Sequence, residues 1–217
     1  THPVKRRVAV KVIKAGMDSE RVLRRFRAEA ETLAKMQHPN IATVHDAGLT
    51  KEGRPYFVME YIEGTRITDY CDRHVLAIEE RLRLFIDACE AIQHAHQKGI
   101  IHRDITANNV LVAIENAPVT DKQEDKPSPS ASKSRRTVSK AKAVVKVIDF
   151  GIARAVEPTG EETNFTMENA VVGTLQYMSP EQAGATGAEV DIRSDIYSLG
   201  CLLYKLLVGA TPLEDKL

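Results

Sequence analysis

The stretch IIHRDITANNVL at residues 100–111 decides the fold, because it places a polar turn between a helical pattern and a short apolar strand. Asp104 and Asn109 both lie in that turn. Later in the chain, the stretch VIDFG at residues 147–151 puts a second carboxylate, Asp149, at the end of another apolar run. Mg²⁺ takes hard oxygen ligands and is usually held by one or two protein groups together with substrate phosphates. Two acids and an amide in such turns therefore indicate a site for magnesium and phosphate.

The composition excludes several other classes of protein. With 217 residues, of which 43% are hydrophobic and 28% charged, the chain has enough apolar side chains for the core of an ordinary globular protein. Its formal net charge is zero, so we expect no nucleic-acid partner and no binding to an anionic membrane surface. The longest apolar stretch, residues 196–208, is interrupted by Gly200 and Lys205 and is too short to span a bilayer. We therefore expect no membrane segment in this chain.

The three cysteines indicate reduced thiols. Cys71, Cys89 and Cys201 lie far apart, without the paired spacing of a zinc site, and each falls in a helical pattern. Free cysteines of this kind usually pack as small apolar residues in a core. Because disulfides seldom persist in the cytosol, this pattern predicts a cytoplasmic protein.

Two charged residues lie on faces that should be apolar. In the strand pattern VAVKVI at residues 8–13, a period of two puts Lys11 on the same face as Ala9 and Ile13. A helix that begins at Asp18 or Ser19 then carries Glu29 within its apolar stripe. Each charge alone could reach water along its own stem. Together, they could also satisfy each other across the strand and the helix.

The first part of the chain is predicted to be a small β-rich lobe. Strand patterns at residues 41–49 and 55–61 follow the first helix and are joined by a turn that contains Gly53. The pattern then becomes mostly helical, so we place the lobe boundary at residue 62. The first lobe accordingly comprises residues 1–62.

The second lobe, residues 63–217, is predicted to be mainly helical. One helix presents an apolar face formed by Leu82, Phe85, Ile86, Cys89 and Ile92. Another, Asp195–Leu207, is apolar nearly all round, which indicates a central buried helix. Between about 114 and 143 the composition shifts to Pro, Ser, Lys and Glu, which cannot bury enough apolar surface to become ordered. We interpret this segment as a disordered surface insertion, with a docking or phosphorylation element as the alternative.

A series of short motifs resembles the signatures of the serine/threonine protein kinase family, in the style of its bacterial receptor-type members. The motifs are Val8-Ala9-Val10-Lys11, Glu29, His102-Arg103-Asp104, Asn109, Asp149-Phe150-Gly151, Ser179-Pro180-Glu181 and Asp195-Ile196-Tyr197-Ser198-Leu199-Gly200. The resemblance implies the two-lobed α+β kinase fold. It also implies a chain truncated at both ends, since the similarity begins at the family's third strand, after the Gly-rich loop, and stops soon after the central helix.

The resemblance implies a protein kinase that transfers the γ-phosphate of ATP to Ser or Thr hydroxyls of proteins, with Mg²⁺ as the metal. Asp104 would accept the proton of the substrate hydroxyl. Lys11 would contact the α- and β-phosphates while Glu29 holds it in position. Asn109 and Asp149 would bind Mg²⁺ and so neutralise the charge that develops on the phosphates.

Further residues acquire roles from the same resemblance. Ala9 and Leu111 would enclose the adenine, and Met59 would control access to the space behind it. Glu60 and Ile62, in the segment between the lobes, would offer backbone groups to the edge of the adenine.

The resemblance also points to regulation and to substrate binding. Arg103 precedes Asp104, which in this family goes with activation by a phosphate, and Thr163 and Thr166 are the candidate acceptors. Both threonines could equally be ordinary polar loop residues. Thr174 matches a threonine that helps to seat the substrate, and Asp195 would anchor the polar turn from the central helix.

One position departs from the family. Thr106 stands where its serine/threonine members usually carry a Lys that contacts the γ-phosphate. Losing a contact of this type would cost about 2–4 kcal/mol of transition-state stabilisation. Weak catalysis is therefore expected, and a non-catalytic kinase-like binding or scaffold module is the alternative. A small-molecule phosphotransferase is a third class, disfavoured because residues 173–174 and 179–181 resemble a platform for peptide substrates.

Overall fold

The computed structural model describes residues 6–13, 20–115, 141–150, 175–184 and 189–214, apart from the side chains of residues 20–22, 25 and 29. Within these residues, the elements form two three-stranded antiparallel sheets with helices beside them, which confirms the predicted α+β class. The strands are β1 (Val8–Val12), β2 (Val44–Leu49), β3 (Pro55–Glu60), β4 (Gly64–Arg66), β5 (Val110–Glu115) and β6 (Lys142–Val147). The helices are α1 (Glu20–Ala34), α2 (Ile67–Arg73), α3 (Ile78–Gln97) and α4 (Ile192–Val208), with a 3₁₀ turn at Ala107–Asn109. The strand orders are β1-β3-β2 and β4-β5-β6.

The first sheet is built around β3, which buries Phe57 and Met59. Their partners in β1 are Lys11, opposite Phe57, and Ala9, opposite Met59. Both β1 residues are half-buried, while the valines that alternate with them are exposed, so the predicted period of two is confirmed. Helix α1 covers this sheet and sets the ring of Phe26 edge-on against Phe57, with 4.8 Å between ring centroids.

Helix α3 buries a different face from the predicted one. The deeply buried positions are Leu84, Ala88, Ala91, Ile92 and Ala95. Of the large residues favoured by the sequence, only Ile92 is among them, and Ile86 is 53% exposed. Alanine has little bulk, so its stripe lets α3 pack closely against both β6 and α4. Phe85 and Cys89 of the predicted face are partly buried against the same core, so the buried face is shifted from the predicted one.

Helix α4 is half-buried, although its sequence predicted burial on all sides. Leu202 and Leu206 are buried, at 0% and 1% exposure. By contrast, Ile196 and Val208 are 58% and 60% exposed. The helix ends at Gly209, whose φ of 91° is a left-handed conformation that glycine adopts without strain.

The two sheets are joined directly by the segment that follows α1. Ile41 forms a parallel bridge with Val147 of β6, so the strand predicted over residues 41–49 begins later, at Val44. The bridge is completed by Val147 N–H to Asn40 O at 2.8 Å and Ala42 N–H to Val147 O at 2.9 Å. These backbone groups pair with the second sheet and are not free to extend β2.

The bounds of the other predicted elements are close to the observed ones. The strand predicted to end at residue 61 ends at Glu60, and the second sheet begins at Gly64. Strands β5 and β6 pair through Ile114 opposite Ala143 and continue to Glu115, so the insertion predicted over 114–143 was drawn too wide. The predicted helix start, at residue 18 or 19, lies outside the described residues.

No helix among the described residues is long and apolar enough to cross a bilayer. All three cysteines are free thiols, and Cys71 and Cys201 are buried. Burial raises the pKa of each of these two thiols above its usual range, which keeps them protonated and unreactive.

One arginine joins three helices of the second lobe. The guanidinium of Arg81, on α3, donates from Nη1 to the carbonyl of Leu206 at 2.9 Å and from Nε to that of Leu76 at 3.1 Å. Its Nη2 lies 2.9 Å from Oδ1 of Asp72. Because its side chain is only 19% exposed, the two carbonyl contacts are largely shielded from water.

We expect Arg81→Met to lower the free energy of unfolding by about 2 kcal/mol, because three backbone carbonyls, those of Cys71, Leu76 and Leu206, lose a charged donor. Urea unfolding monitored by circular dichroism measures the change. Arg83→Met is the matched control, since Arg83 lies on the same helix and is exposed. Equal losses for the two variants would contradict this role for Arg81.

Candidate active site

The polar turn, residues 100–109, is held by a buried carboxylate from α4. Asp195 is 0% exposed. Its Oδ1 accepts the backbone N–H of Arg103 at 2.7 Å, and its Oδ2 accepts that of His102 at 2.8 Å. Oδ2 also lies 2.7 Å from Nε2 of His96, which must carry the proton because a carboxylate only accepts. Three donors thus offset the cost of burying this charge and tie the polar turn and α3 to α4.

Two residues of the site have left-handed backbones. Arg103 has a φ of 66° and Asp149 a φ of 60°. Such a conformation costs a non-glycine residue roughly 1–2 kcal/mol. Strain of this kind persists only where surrounding contacts impose it, and it clusters at functional sites. The contacts of Asp195 impose it on Arg103.

His102 is a buried packing residue with a defined tautomer. It is 0% exposed, and its ring packs on that of Phe150 with 4.6 Å between centroids. Its Nδ1 accepts the N–H of Asp104 at 3.3 Å, so Nε2 carries the proton that is donated to the carbonyl of Ile148 at 3.0 Å. Burial lowers the pKa of His102, which favours this neutral form. His102 therefore connects the polar turn to the segment that carries Asp149.

Asp104 and Asn109 are in direct contact. Nδ2 of Asn109 donates to the carbonyl of Asp104 at 2.8 Å and to its Oδ2 at 2.9 Å. The side chain of Asp104 is open to solvent on one side. Desolvation by the protein packed on its other side raises the pKa of Asp104, against the opposing effects of His102, Asn109 and Lys11. A raised pKa makes this carboxylate a better proton acceptor.

Lys11 meets Asp149 across the boundary between the sheets. Its Nζ lies 3.0 Å from Oδ1 of Asp149, and the two side chains are 35% and 31% exposed. Asp149 lies next to the polar turn, because the N–H of Ile148 donates to the carbonyl of Asn109 at 2.9 Å. The side chain of Glu29 lies outside the described part of the chain, so its predicted pairing with Lys11 stays a prediction.

Asn109 and Asp149 suit a magnesium ion. The amide nitrogen of Asn109 is taken up by Asp104, which leaves its amide oxygen available, and the carboxylate of Asp149 is partly exposed. Both are hard oxygen ligands of the type that Mg²⁺ prefers. The described residues contain no group of three or more His, Cys, Asp or Glu that could hold a metal. A two-ligand site that depends on substrate phosphates does not need such a group.

The residues predicted to surround an adenine lie on both sheets. Ala9 and Met59 are cross-strand partners in the first sheet. Leu111 in the second sheet is opposite Lys146, whose Nζ lies 3.2 Å from Oε1 of Glu60. This ion pair thus brings the end of β3 against β6. Ile62, half-buried, follows in the connection to β4.

The pair of Glu60 and Lys146 is well shielded, with side chains 24% and 12% exposed. Oε2 of Glu60 also accepts the N–H of Thr43 at 3.1 Å. Burial acts to raise the pKa of Glu60, but the Thr43 hydrogen bond and Lys146 outweigh it and leave this pKa below its usual range. Glu60 is therefore ionised at neutral pH, and it joins β3 to β6 and to Thr43, the residue just before β2.

Thr106 has a structural role in the polar turn. It is 3% exposed, and its Oγ1 accepts the N–H of Asn108 at 3.2 Å, capping the 3₁₀ turn. The Thr106 side chain is uncharged and is used in this cap, so it offers no cation at the position where the resembling family usually carries Lys.

Three predicted residues, Thr163, Thr166 and Thr174, lie outside the described part of the chain. Arg103 lies inside it and is half-buried. Its Nε is buried and makes no hydrogen bond within that part.

Sequence reasoning missed three residues that support the site: His96, Lys146 and Gln182. His96 contacts Asp195, Lys146 contacts Glu60, and Nε2 of Gln182 donates to the carbonyl of Arg103 at 2.7 Å. Period-two alternation in β6 could have flagged Lys146, which falls between the buried Val145 and Val147. The other two depend on contacts 99 and 79 residues apart, which no local pattern reveals.

Comparison with known proteins agrees with this geometry. The family described as protein kinase domain matches residues 2–217. The serine/threonine-protein kinase PknB of Mycobacterium leprae is 38% identical over 212 residues, which is 95% of this chain and 29% of that protein. A probable serine/threonine-protein kinase PknB of Bifidobacterium longum is 36% identical over 217 residues, 95% of this chain and 27% of that protein. This chain thus spans less than a third of the length of either relative.

Solved structures give the same result. The kinase domain of Mycobacterium tuberculosis PknI has a TM-score of 0.61 and 25% identity, with 97% of this chain and 67% of that one covered. Rad53, solved in complex with AMP-PNP, has a TM-score of 0.59 and 26% identity, with 94% of this chain and 42% of that one covered. On the family match and the identity to PknB, the chain belongs to the protein kinase family.

Proposed function

We propose that this chain is the kinase part of a protein serine/threonine kinase, which transfers the γ-phosphate of ATP to Ser or Thr hydroxyls of protein substrates. The observation that carries the proposal is the approach of Lys11 and Asp149 from separate sheets, beside the hydrogen-bonded pair of Asp104 and Asn109. A cation, two carboxylates and an amide oxygen in one place suit a phosphate chain and its metal. The names of the PknB relatives support Ser and Thr as acceptors.

Each side chain then has a role in phosphotransfer. Asp104, open to solvent and with a raised pKa, accepts the proton of the acceptor hydroxyl. Lys11 binds the phosphates, with Asp149 beside it at 3.0 Å, and Glu29 is the second acid that would hold it in position. Asn109 orients Asp104 through two hydrogen bonds. Positioning and electrostatics supply most of the rate enhancement in reactions of this type.

Magnesium would be held by the amide oxygen of Asn109 and the carboxylate of Asp149, together with substrate phosphates. When bound, it supplies positive charge that offsets the negative charge of the phosphates. Thr106 supplies none, so we expect slow turnover compared with kinases that carry Lys at this position.

The adenine would lie between Ala9 and Leu111, against the backbone of the connection from Glu60 to Ile62, with Met59 behind it. Rad53, which is similar in fold, was solved in complex with AMP-PNP, and this supports a nucleotide as the ligand of the fold. We further propose the lobe boundary near residue 62, where the chain passes from the first sheet to the second.

Regulation and substrate binding complete the proposal. The guanidinium of Arg103 would bind a phosphate group carried by Thr163 or Thr166, since its buried Nε makes no hydrogen bond within the described residues. Thr174 would seat the acceptor residue near Asp104. The free thiols fit a reaction in the cytoplasm, where ATP and reducing conditions coincide.

We expect Asp104→Asn to lower the rate of phosphate transfer from ATP by at least about 100-fold, because no other group replaces the lost proton acceptor. ATP binding should change little, since Asn can still accept from Asn109. The measurement is transfer of labelled phosphate to a general protein substrate, beside calorimetric ATP binding.

Asp46→Asn is the matched control, because Asp46 is an exposed acid in β2. It should retain the rate of the parent protein. Equal, measurable transfer by the parent and by Asp104→Asn would contradict the proposal. A parent protein that binds ATP but transfers no phosphate to proteins would instead support the binding-module alternative.

We expect Lys146→Met to weaken ATP binding about tenfold, because Glu60 would lose its cation and the connection between the lobes would relax. Breaking a buried pair costs about 3–5 kcal/mol and an exposed one less than 1, and this pair is intermediate. Lys142→Met, at the exposed end of the same strand, is the control. Calorimetric titration with ATP and Mg²⁺ checks the prediction, and equal affinities for both variants would refute it.

A further inference from the structure

One side chain outside the polar turn contacts the backbone that leads into Asp104. Gln182 lies in the segment of residues 175–184, directly after the Ser-Pro-Glu motif at 179–181, and this segment is separate in sequence from the turn. Its Nε2 donates to the carbonyl of Arg103 at 2.7 Å. That carbonyl belongs to the peptide unit shared by Arg103 and Asp104. A contact here therefore acts on the orientation of Asp104.

The amide of Gln182 is used at both ends. Its Oε1 accepts the backbone N–H of Ser179 at 3.1 Å and the Ser179 hydroxyl at 3.3 Å. The N–H of Gln182 in turn donates to Oγ of Ser179 at 3.4 Å. Gln182 is 9% exposed and Ser179 is 0% exposed. The reverse amide orientation would set an NH₂ group against an N–H donor, so these partners determine which end faces Arg103.

The two peptide units that flank Arg103 are thus hydrogen-bonded by side chains from two different parts of the chain, α4 and the segment of residues 175–184. Asp195 of α4 accepts the N–H of Arg103 at 2.7 Å, and Gln182 donates to its carbonyl at the same distance. The φ of 66° at Arg103 makes this backbone liable to relax when either contact is lost. Asp195 fixes one side of the strained residue, and Gln182 fixes the side that faces Asp104.

The segment of Gln182 is itself anchored to α4. Oε1 of Glu181 accepts the hydroxyl of Ser194 at 2.6 Å, and the hydroxyl of Ser198 donates to the carbonyl of Tyr177 at 2.8 Å. These two hydrogen bonds fix the backbone on both sides of Ser179, so the segment that carries the Gln182 side chain is held against α4.

We infer that Gln182 is a positioning residue for phosphotransfer: it couples the segment of residues 175–184 to the orientation of Asp104 through the Arg103 carbonyl. The inference rests on the proposed function for its catalytic consequence and on geometry alone for its structural part. Loss of this contact would displace Asp104 and so lower the rate of the chemical step. The same displacement should leave the proposed ATP site around Lys11 and Asp149 unchanged.

Gln182→Glu tests the coupling selectively. A carboxylate keeps the acceptor that faces Ser179 but sets an oxygen without a proton against the Arg103 carbonyl, which repels it. Gln182→Met removes both functions at similar length. Gln93→Glu, the same change at an exposed position of α3, is the matched control.

In the full chain we expect Gln182→Glu and Gln182→Met to lower kcat by between about 10- and 100-fold, as small misplacements of a reacting group do. KM for ATP should stay close to that of Gln93→Glu. Parallel losses in kcat and in ATP affinity would show a merely structural role and overturn the inference.

Amide hydrogen exchange provides a readout that does not need activity. We expect Gln182→Glu to speed exchange in peptides covering residues 100–109 by about tenfold, without change in peptides from the first half of α3. If the parent protein transfers no phosphate but Gln182→Glu still exchanges faster at residues 100–109, the coupling is supported and only the proposed function is contradicted. Unchanged exchange together with unchanged kcat would overturn the inference.

Discussion

The buried carboxylate of Asp195 is the contact on which the site depends. It collects donors from His96, His102 and Arg103, and thereby binds α3 and the polar turn to α4. An ionised group at 0% exposure is tolerated only when such donors surround it. The same contacts help to hold Arg103 in a left-handed conformation, and this conformation sets the direction in which the side chain of Asp104 points. Orientation of the proposed proton acceptor is thus a consequence of core packing.

The two sheets share one apolar core, and the polar contacts between them lie around the proposed nucleotide site. Backbone pairing of Asn40 with β6 joins them at one place, and the ion pairs Lys11–Asp149 and Glu60–Lys146 join them at two others. A phosphate chain with its metal would compete for Lys11 and Asp149, so substrate binding and the contact between the sheets are coupled.

The sequence predicted most of the described fold, and it predicted that the four polar residues at the centre of the candidate site lie close together. Period-two alternation placed Lys11 on the inner face of β1, and motif order placed Asp104 near Asn109 and Asp149. The patterns failed where tertiary packing decided the outcome. Alanine at 88, 91 and 95 made the buried stripe of α3, since close helix packing needs small residues. Ile41 paired with β6 in preference to extending β2, and the contact of Gln182 with the polar turn crosses 79 residues.

The free energy of unfolding of Asp195→Asn tests the account most directly. The amide would keep one acceptor but set its NH₂ group against an N–H donor of the polar turn, so we predict a loss of about 3 kcal/mol. Asp191→Asn, at the N-cap of the same helix, should cost less than about 1 kcal/mol, because Asn caps nearly as well as Asp. Urea unfolding of both variants measures the difference. Equal, small losses would contradict the claim that Asp195 organises the site.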